Sequence, residues 1–412
     1  MDMKRYLAVL VIAVLAFALL SCSDEQDALF CNGTLDNPND PDKQEWLCFE
    51  GERRCGEGDQ PEKCIGGQWV TQNSCPLYSY CNYGQCEDAF IAFPLDESPH
   101  HDFVEWWYWT GELFDEQDNQ FGFEVTFFYF LSEFGIPLWM INVAITDVEA
   151  NTHKTAVWLD YHDANYNPTE LHLKSKEASV DRWQDDQFII RAGAEDMNFT
   201  LALNDIKGAI YHGGLGAIRM SSRTADSFYY SRPLLEVEGM LNRGDEQRYV
   251  TGSAWMDHQW GNFNPFVLVG WDWFSIRFDD DTDLMVFIFR YDEHDPNAVD
   301  MAFGTYSDAD GNQVVLGEDD IHVHHLDTWE SPHTGGIYPQ NWVVRIPEMA
   351  LEVRLDSVME DQEVPNFIWD YWEGLTTVEG TKQGQGVTGS AFVELSGYAG
   401  RPALWFLFDQ WQ

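Results

Sequence analysis

The chain has 412 residues, enough for two or three domains, and sets 23 basic against 70 acidic side chains for a formal charge of −47. Repulsion on that scale excludes nucleic acid and anionic lipid surfaces as principal partners. It favours solubility and carries no information about mechanism.

Residues 1–22, MDMKRYLAVLVIAVLAFALLSC, pair a basic start (Lys4, Arg5) with an apolar run that ends at Ser21-Cys22. The run is too short to span a bilayer and is expected to be an export signal. Leu19-Leu20-Ser21 before Cys22 fits the bacterial lipobox, so Cys22 is expected to become a lipid-bearing N-terminus. Ser23 in place of aspartate favours the outer membrane, facing the periplasm or the surface. The competing reading is an ordinary secretory signal with Cys22 in a disulfide. Residues 23–45 are acidic and rich in Asn, Asp and Pro, as a solvated tether would be.

Seven further cysteines lie between Cys31 and Cys86, and six of them fall in residues 46–90: Cys48, Cys55, Cys64, Cys75, Cys81 and Cys86. So small an exported segment cannot bury much core, which predicts three disulfides of open connectivity. Zinc competes with that reading, but the segment lacks both a CxxC pair and paired histidines. Cys31 is left over: it bonds Cys22 in an unlipidated chain, bonds another molecule, or stays free.

From residue 93 the hydrophobic period is two, broken by turn text such as DEQDNQ, FDDDTD, HDPNA and DADGN. The 18 tryptophans and 27 phenylalanines give such strands a large apolar payload. The text also repeats. WYWTGELFDEQDNQFGFEVTFF starts at Trp107 and WDWFSIRFDDDTDLMVFIFR at Trp271, each with Trp-x-Trp, a Phe-Asp turn and a Phe-rich strand. TGSAWMDHQWG starts at Thr251 and TGSAFVELSGY at Thr388. Two blocks that open in an aromatic hairpin and close in a TGSA strand predict an all-β protein with two tandem lipocalin-like antiparallel β-barrels, residues 93–262 and 263–412. One large β-sandwich with chance similarity is the alternative.

The segments EWWYWTGEL, YYSRPLLEVEG, TGSAWMDHQWG, GWDWFSIRFDD, YWEGLTTVEG and AFVELSGY resemble the signature blocks of the AttH-like, carotenoid 1,2-hydratase-like proteins. The resemblance runs from residue 93 to the C-terminus and leaves out the cysteine-rich prefix. It implies tandem lipocalin-like domains of a group often labelled secreted hydrolases, which includes hydratases and some fungal Diels–Alderases. A shared fold and pocket do not fix a reaction.

The two TGSA copies differ in one informative way. On a strand, Met256, His258 and Trp260 share one face, and Trp255, Asp257 and Gln259 the other. The positions matching Met256 and His258 in the second copy are Val393 and Leu395, so His258 sits on a face its twin uses for packing. An imidazole in a barrel or interdomain pocket suits acid–base work, whereas the inert reading is a core histidine with one hydrogen-bond partner. The candidate carboxyl partners are Asp257, Asp272 and Glu105.

Hydration of an alkene would use Asp272 or Glu105 as acid, His258 as base, and aromatic walls to stabilise the cation. The wall and ligand-binding candidates are Trp107, Trp109, Trp260, Trp271, Trp273 and Met256. Hydrolysis would use His258 to activate water. A covalent serine is unsupported because GxSxG is absent. The expected ligand in each case is a hydrophobic small molecule, with no cofactor and no metal. A non-catalytic carrier fits the aromatic text equally well, and a surface scaffold whose disulfide prefix docks a partner is a third reading.

Weaker signals have simpler explanations. GQGVTG satisfies GxGxxG but leads into a strand, so a turn is expected and not a dinucleotide site. HVHHLD places His322 and His324 on one face, with His325 and His333 near in sequence, but shows no third zinc or copper ligand. FDDDTD and SDADGN lack the frame of a calcium loop and read as hairpin turns.

Overall fold

The computed structural model describes residues 51–400, with breaks at 56–60, 73–78, 83–84, 89–90, 101, 132–136, within 163–169, at 185, 221–225, 266–267, 291–298 and 367–369. The signal, the tether, Cys22, Cys31, Cys48, Cys75 and the HDPNA turn fall outside the described residues. The described residues divide into two compact units, 51–52 with 63–70 and 53–62 with 71–400. In the first, Cys64 is fully buried and exchanges backbone hydrogen bonds with Gly51 and Glu52. Cys64 and Cys86 are both disulfide-bonded. The pairing of the other cysteines lies outside what is described.

The second unit contains two large antiparallel, barrel-like sheets of 12 and 10 strands. In the first, the meander Val104–Asp115, Gln120–Leu131, Pro137–Asp147 and Thr152–Asp160 is followed by a second run that begins at His172–Ser175. That run ends in Asp226–Arg243 and Glu246–Gly261, and the last strand pairs back onto the first. The second sheet repeats this plan from Gly270–Phe278 to Gln385–Ser396, again with last strand beside first. Among the described residues, both hydrogen-bonded paths break between the fourth and fifth strands of the main meander. Two separate interiors follow. One apolar core, with Trp107, Trp109, Met256 and Phe199, fills the first sheet, and another, with Phe274, Trp342, Val393 and Leu395, fills the second. A third, built from both sheets, lies between them.

The TGSA echo has a packing cause. A Cβ on Gly252 would fall 2.0 Å from the carbonyl oxygen of Glu112, and one on Gly389 would fall 2.0 Å from that of Arg277. In each barrel the closing strand approaches the opening strand too closely at that point for any side chain. The turn text also folds as read: Asp118, Asp281 and Gln383-Gly384 take positive φ at hairpin tips. GQGVTG is therefore a hairpin, with no phosphate-binding helix after it.

The hairpin echo needs correction by one residue. Trp107 pairs with His258 and Tyr108 with Asp257. In the second barrel Asp272 pairs with Leu395 and Trp273 with Glu394. Because Glu394 matches Asp257 in the TGSA copies, Trp271-x-Trp273 corresponds to Trp106-x-Tyr108, not to Trp107-x-Trp109. Four consecutive aromatics, Trp106 to Trp109, offer two overlapping matches, and letters alone select the wrong one. A one-residue slip reverses every face. Trp271 and Trp273 therefore leave the barrel interior and join the core between the sheets.

Candidate functional site

A crevice opens in that shared core. Its walls are aromatic, with Trp106, Tyr108 and Tyr229 from the first barrel and Trp271, Trp273 and Phe287 from the second. Asp257 and Glu394 are the two carboxyls in its lining, and among the described residues no basic side chain joins them. The free volume is about 30 Å³, room for ordered water beside the carboxyls.

Asp257 and Glu394 reach the crevice by the same local route. Each is the seventh residue of a TGSA strand, on the face opposite the barrel interior. Asp257 accepts hydrogen bonds from Tyr229 Oη at 2.5 Å, from Trp255 Nε1 at 2.6 Å and from Ser231 Oγ. Burial pushes its pKa up to about 7 against those three donors. Glu394 accepts one from Trp271 Nε1 at 2.7 Å. Burial, joined by the charge of Asp257, raises it to about 8 although the indole donor opposes the shift. Tyr229 ties the two barrels at this point, since Trp273 Nε1 donates to its oxygen at 3.0 Å.

Two further glutamates stand behind Glu394. Glu373 pairs with it across the strands and accepts from Tyr108 Oη at 2.7 Å. Burial, then the charges of Glu394 and Glu124, hold Glu373 well above the carboxylate range. Burial likewise raises Glu124 to about 8, and its Oε2 accepts no hydrogen bond among the described residues. So many buried carboxyls cannot all ionise together, and protons stay in the cluster at neutral pH.

His258 is elsewhere. It faces the interior of the first barrel, as the comparison with Leu395 predicts, but that interior is filled. Its ring stacks on Trp107 at 4.5 Å, and both nitrogens have partners: Nδ1 with Tyr230 Oη at 3.2 Å, Nε2 with Glu105 Oε1 at 2.8 Å. Burial lowers its pKa to about 4, so the ring is neutral and a weak base. The inert reading of a satisfied core histidine is the better one for crevice chemistry.

The other candidates divide accordingly. Glu105 does not fit the acid role. Burial would raise its pKa, but hydrogen bonds from His100 and His258 outweigh that and hold it low and ionised. Asp272 does not meet His258 either; it accepts from Tyr398 Oη at 3.0 Å and lies 3.4 Å from Arg290. Its register partner is Leu395, so it faces away from Trp271 and Trp273. Trp107, Trp109, Trp260 and Met256 belong to the filled first core and are not part of the crevice lining, whereas Trp271 and Trp273 do line the crevice. His322 and His324 are exposed, and among the described residues the one set with metal-binding geometry is His100, Glu105 and His258. Sequence reasoning missed Glu394, Glu373 and Glu124. The available signal was a carboxylate inside apolar strand text, in FGFEVTFF, YWEGLTT and SAFVELS.

Residues 86–398 match the family model described as AttH-like. The chain belongs to the AttH-like family. A crystal structure described as AttH, from Nitrosomonas europaea, is 29% identical, with a TM-score of 0.67, and the match covers 75% of this chain and 97% of that one. The kievitone hydratase of Nectria haematococca is 20% identical with a TM-score of 0.63, over 76% of this chain and 94% of that one, a likeness of fold. No curated protein matches the chain. Within this AttH-like fold, the crevice between the barrels brings the matching carboxyls of the two TGSA strands, Asp257 and Glu394, into one lining.

Proposed function

We propose that this AttH-like protein binds an apolar, unsaturated small molecule in the crevice and adds water across a carbon–carbon double bond. The observation that carries this reading is the pair of twin carboxyls, Asp257 and Glu394, in one aromatic-walled cleft with different hydrogen-bond support. Glu394 is the group held protonated near neutrality, and it donates its proton to one alkene carbon. The π-faces of Trp271, Trp273 and Tyr108 stabilise the cation that forms on the other carbon. Water attacks that carbon and gives up a proton to Asp257, whose three donors favour its ionised form. A proton returning from Asp257 to Glu394 through crevice water restores the starting state. The cleft is narrow, so substrate enters by displacing wall side chains. That a protein of the same fold is a hydratase supports the choice of reaction.

The reading includes a setting. Cys22 is lipidated after export, the acidic tether spans from the membrane, and the disulfide module follows the tether along the chain, in the bacterial envelope. Cys22→Ala then moves the protein from the membrane fraction to the soluble one.

The test is incubation of the purified protein with apolar isoprenoid alkenes in ¹⁸O-labelled water, read by mass spectrometry. Hydration predicts a labelled alcohol that Glu394→Gln abolishes. Retention of an alkene without turnover, unchanged in Glu394→Gln, would instead make the protein a carrier.

A further inference from the structure

The filled interior of the first barrel contains a second constellation that the crevice chemistry does not use. Glu105 and His258 lie on adjacent strands with their side chains on the same face, Glu105 opposite Trp260 and His258 opposite Trp107. His100 folds back onto them from the segment before the first strand. Glu105 Oε1 is 2.8 Å from His258 Nε2 and 2.8 Å from His100 Nδ1, and all three ligand atoms lie within 4.8 Å of one another.

We propose that His100 Nδ1, Glu105 Oε1 and His258 Nε2 form a binding site for a divalent transition-metal ion of the zinc class. Two imidazole nitrogens and one carboxylate oxygen are a donor set zinc accepts, at separations of about 3.2–4.2 Å between ligand atoms. A spread of a few tenths of an ångström from the present contacts admits the ion.

The outer shell is the second observation. A ligating histidine ordinarily has its other nitrogen fixed by an oxygen partner. Here His258 Nδ1 meets Tyr230 Oη at 3.2 Å, and His100 Nε2 meets Asp96 Oδ1 at 3.2 Å. Glu105 Oε2 is held in turn by the backbone N–H of His100 at 2.9 Å. Stacking locks the rings: Trp107 lies on His258, and Trp260 on His100 at 3.9 Å with planes 3° apart. His258 and Glu105 are fully buried while His100 is 20% exposed, so entry and a fourth, water-bearing position lie on the His100 side. On binding, the neutral ring of His258 shifts its proton from Nε2 to Nδ1, which faces Tyr230 Oη, and His100 releases its Nδ1 proton to solvent, so that each imidazole offers one lone pair to the ion.

The site is separate from the crevice, because His258 and Asp257 point to opposite faces of one strand. The test uses the full mature chain, stripped with chelator and titrated with Co²⁺ and Zn²⁺, with visible absorption and calorimetry as readouts. One equivalent with an imidazole-ligated Co²⁺ spectrum is expected. His100→Gln, at the partly exposed position, should weaken binding at least about 100-fold, and Asp96→Asn about 10- to 100-fold. Circular dichroism establishes that each variant is folded, and the exposed His100 site keeps the test usable if His258→Gln fails to fold. Absence of stoichiometric binding overturns the proposal. So does binding that survives His100→Gln, or that is lost when His322 and His324 are replaced by Gln.

Discussion

Asp257 and Glu394 occupy the same position in the two copies of the TGSA strand, and both leave their barrels to face one crevice. The duplication thus sets a carboxyl on each side of a single cleft. Their surroundings are unequal: three donors converge on Asp257, and Glu394 has Trp271 Nε1. Unequal support of two buried carboxyls is the usual means of assigning one as acid and one as base.

Glu394→Gln and Asp257→Asn should each reduce hydration by about 100- to 10,000-fold while leaving ligand retention within a fewfold. Amides keep the volume, and the amide oxygen introduced by Asp257→Asn can still accept from Tyr229. Turnover and retention are read separately, by product mass and by equilibrium dialysis.

Tyr229→Phe removes one donor to Asp257 and the link to Trp273. Asp257 should then titrate at higher pH, because the lost bond favoured its ionised form. The acidic limb of the pH–rate profile should move upward, with a smaller fall in the maximal rate than Asp257→Asn gives.

The crevice carboxyls and Glu124 behind them also contribute a pH dependence to stability. Asp257, Glu394 and Glu124 have folded-state values of about 7, 8 and 8, above those of an unfolded chain. At these groups the folded state therefore binds more protons between the unfolded and folded pKa values, and their contribution to stability falls as pH rises through that window. It is fully present below about pH 4 and lost progressively toward pH 8. Urea midpoints of the wild type and Glu394→Gln should diverge across this range, the wild type losing stability relative to the variant by an amount on the order of a few kcal/mol as pH rises.

Gly252→Ala and Gly389→Ala should each destabilise their barrel by about 3 kcal/mol or more, since the new Cβ meets a backbone carbonyl and not a yielding side chain. Chemical denaturation measures the loss. Equal, large effects at both positions are the expected mark of the repeated strand.

His258→Ala should cost about 3–5 kcal/mol, because it leaves Glu105 buried beside a vacated space with one of its two imidazole partners gone. Ligand retention in the crevice should survive under conditions where the variant is folded. A loss of retention without a loss of stability would put the imidazole back in the binding site.

Much of this architecture is legible in the letters. Period-two aromatic text, Asp-rich turns and the TGSA echo lead to two barrels, and Leu395 correctly places His258 inward. What misleads is the purpose of that inward face. Histidine stands out because one copy lacks it, yet the feature shared by both copies, a carboxylate at the seventh position, is the one that builds the cleft. Trp271 and Trp273 line the crevice, but letters alone match them to the wrong residues of the first block, because four aromatics in a row hide the register. Glu124 and Glu373 stay hidden for a physical reason: nothing local tells whether the outward face of a strand meets water or a second barrel.

The most direct measurement is infrared titration of the purified protein without substrate, following the C=O stretch of protonated carboxyl groups. Such a band is expected at pH 7, diminishing as the pH rises through about 8 and reduced in Glu394→Gln. A protein with every carboxyl ionised at pH 7, or a band indifferent to Glu394→Gln, would contradict it.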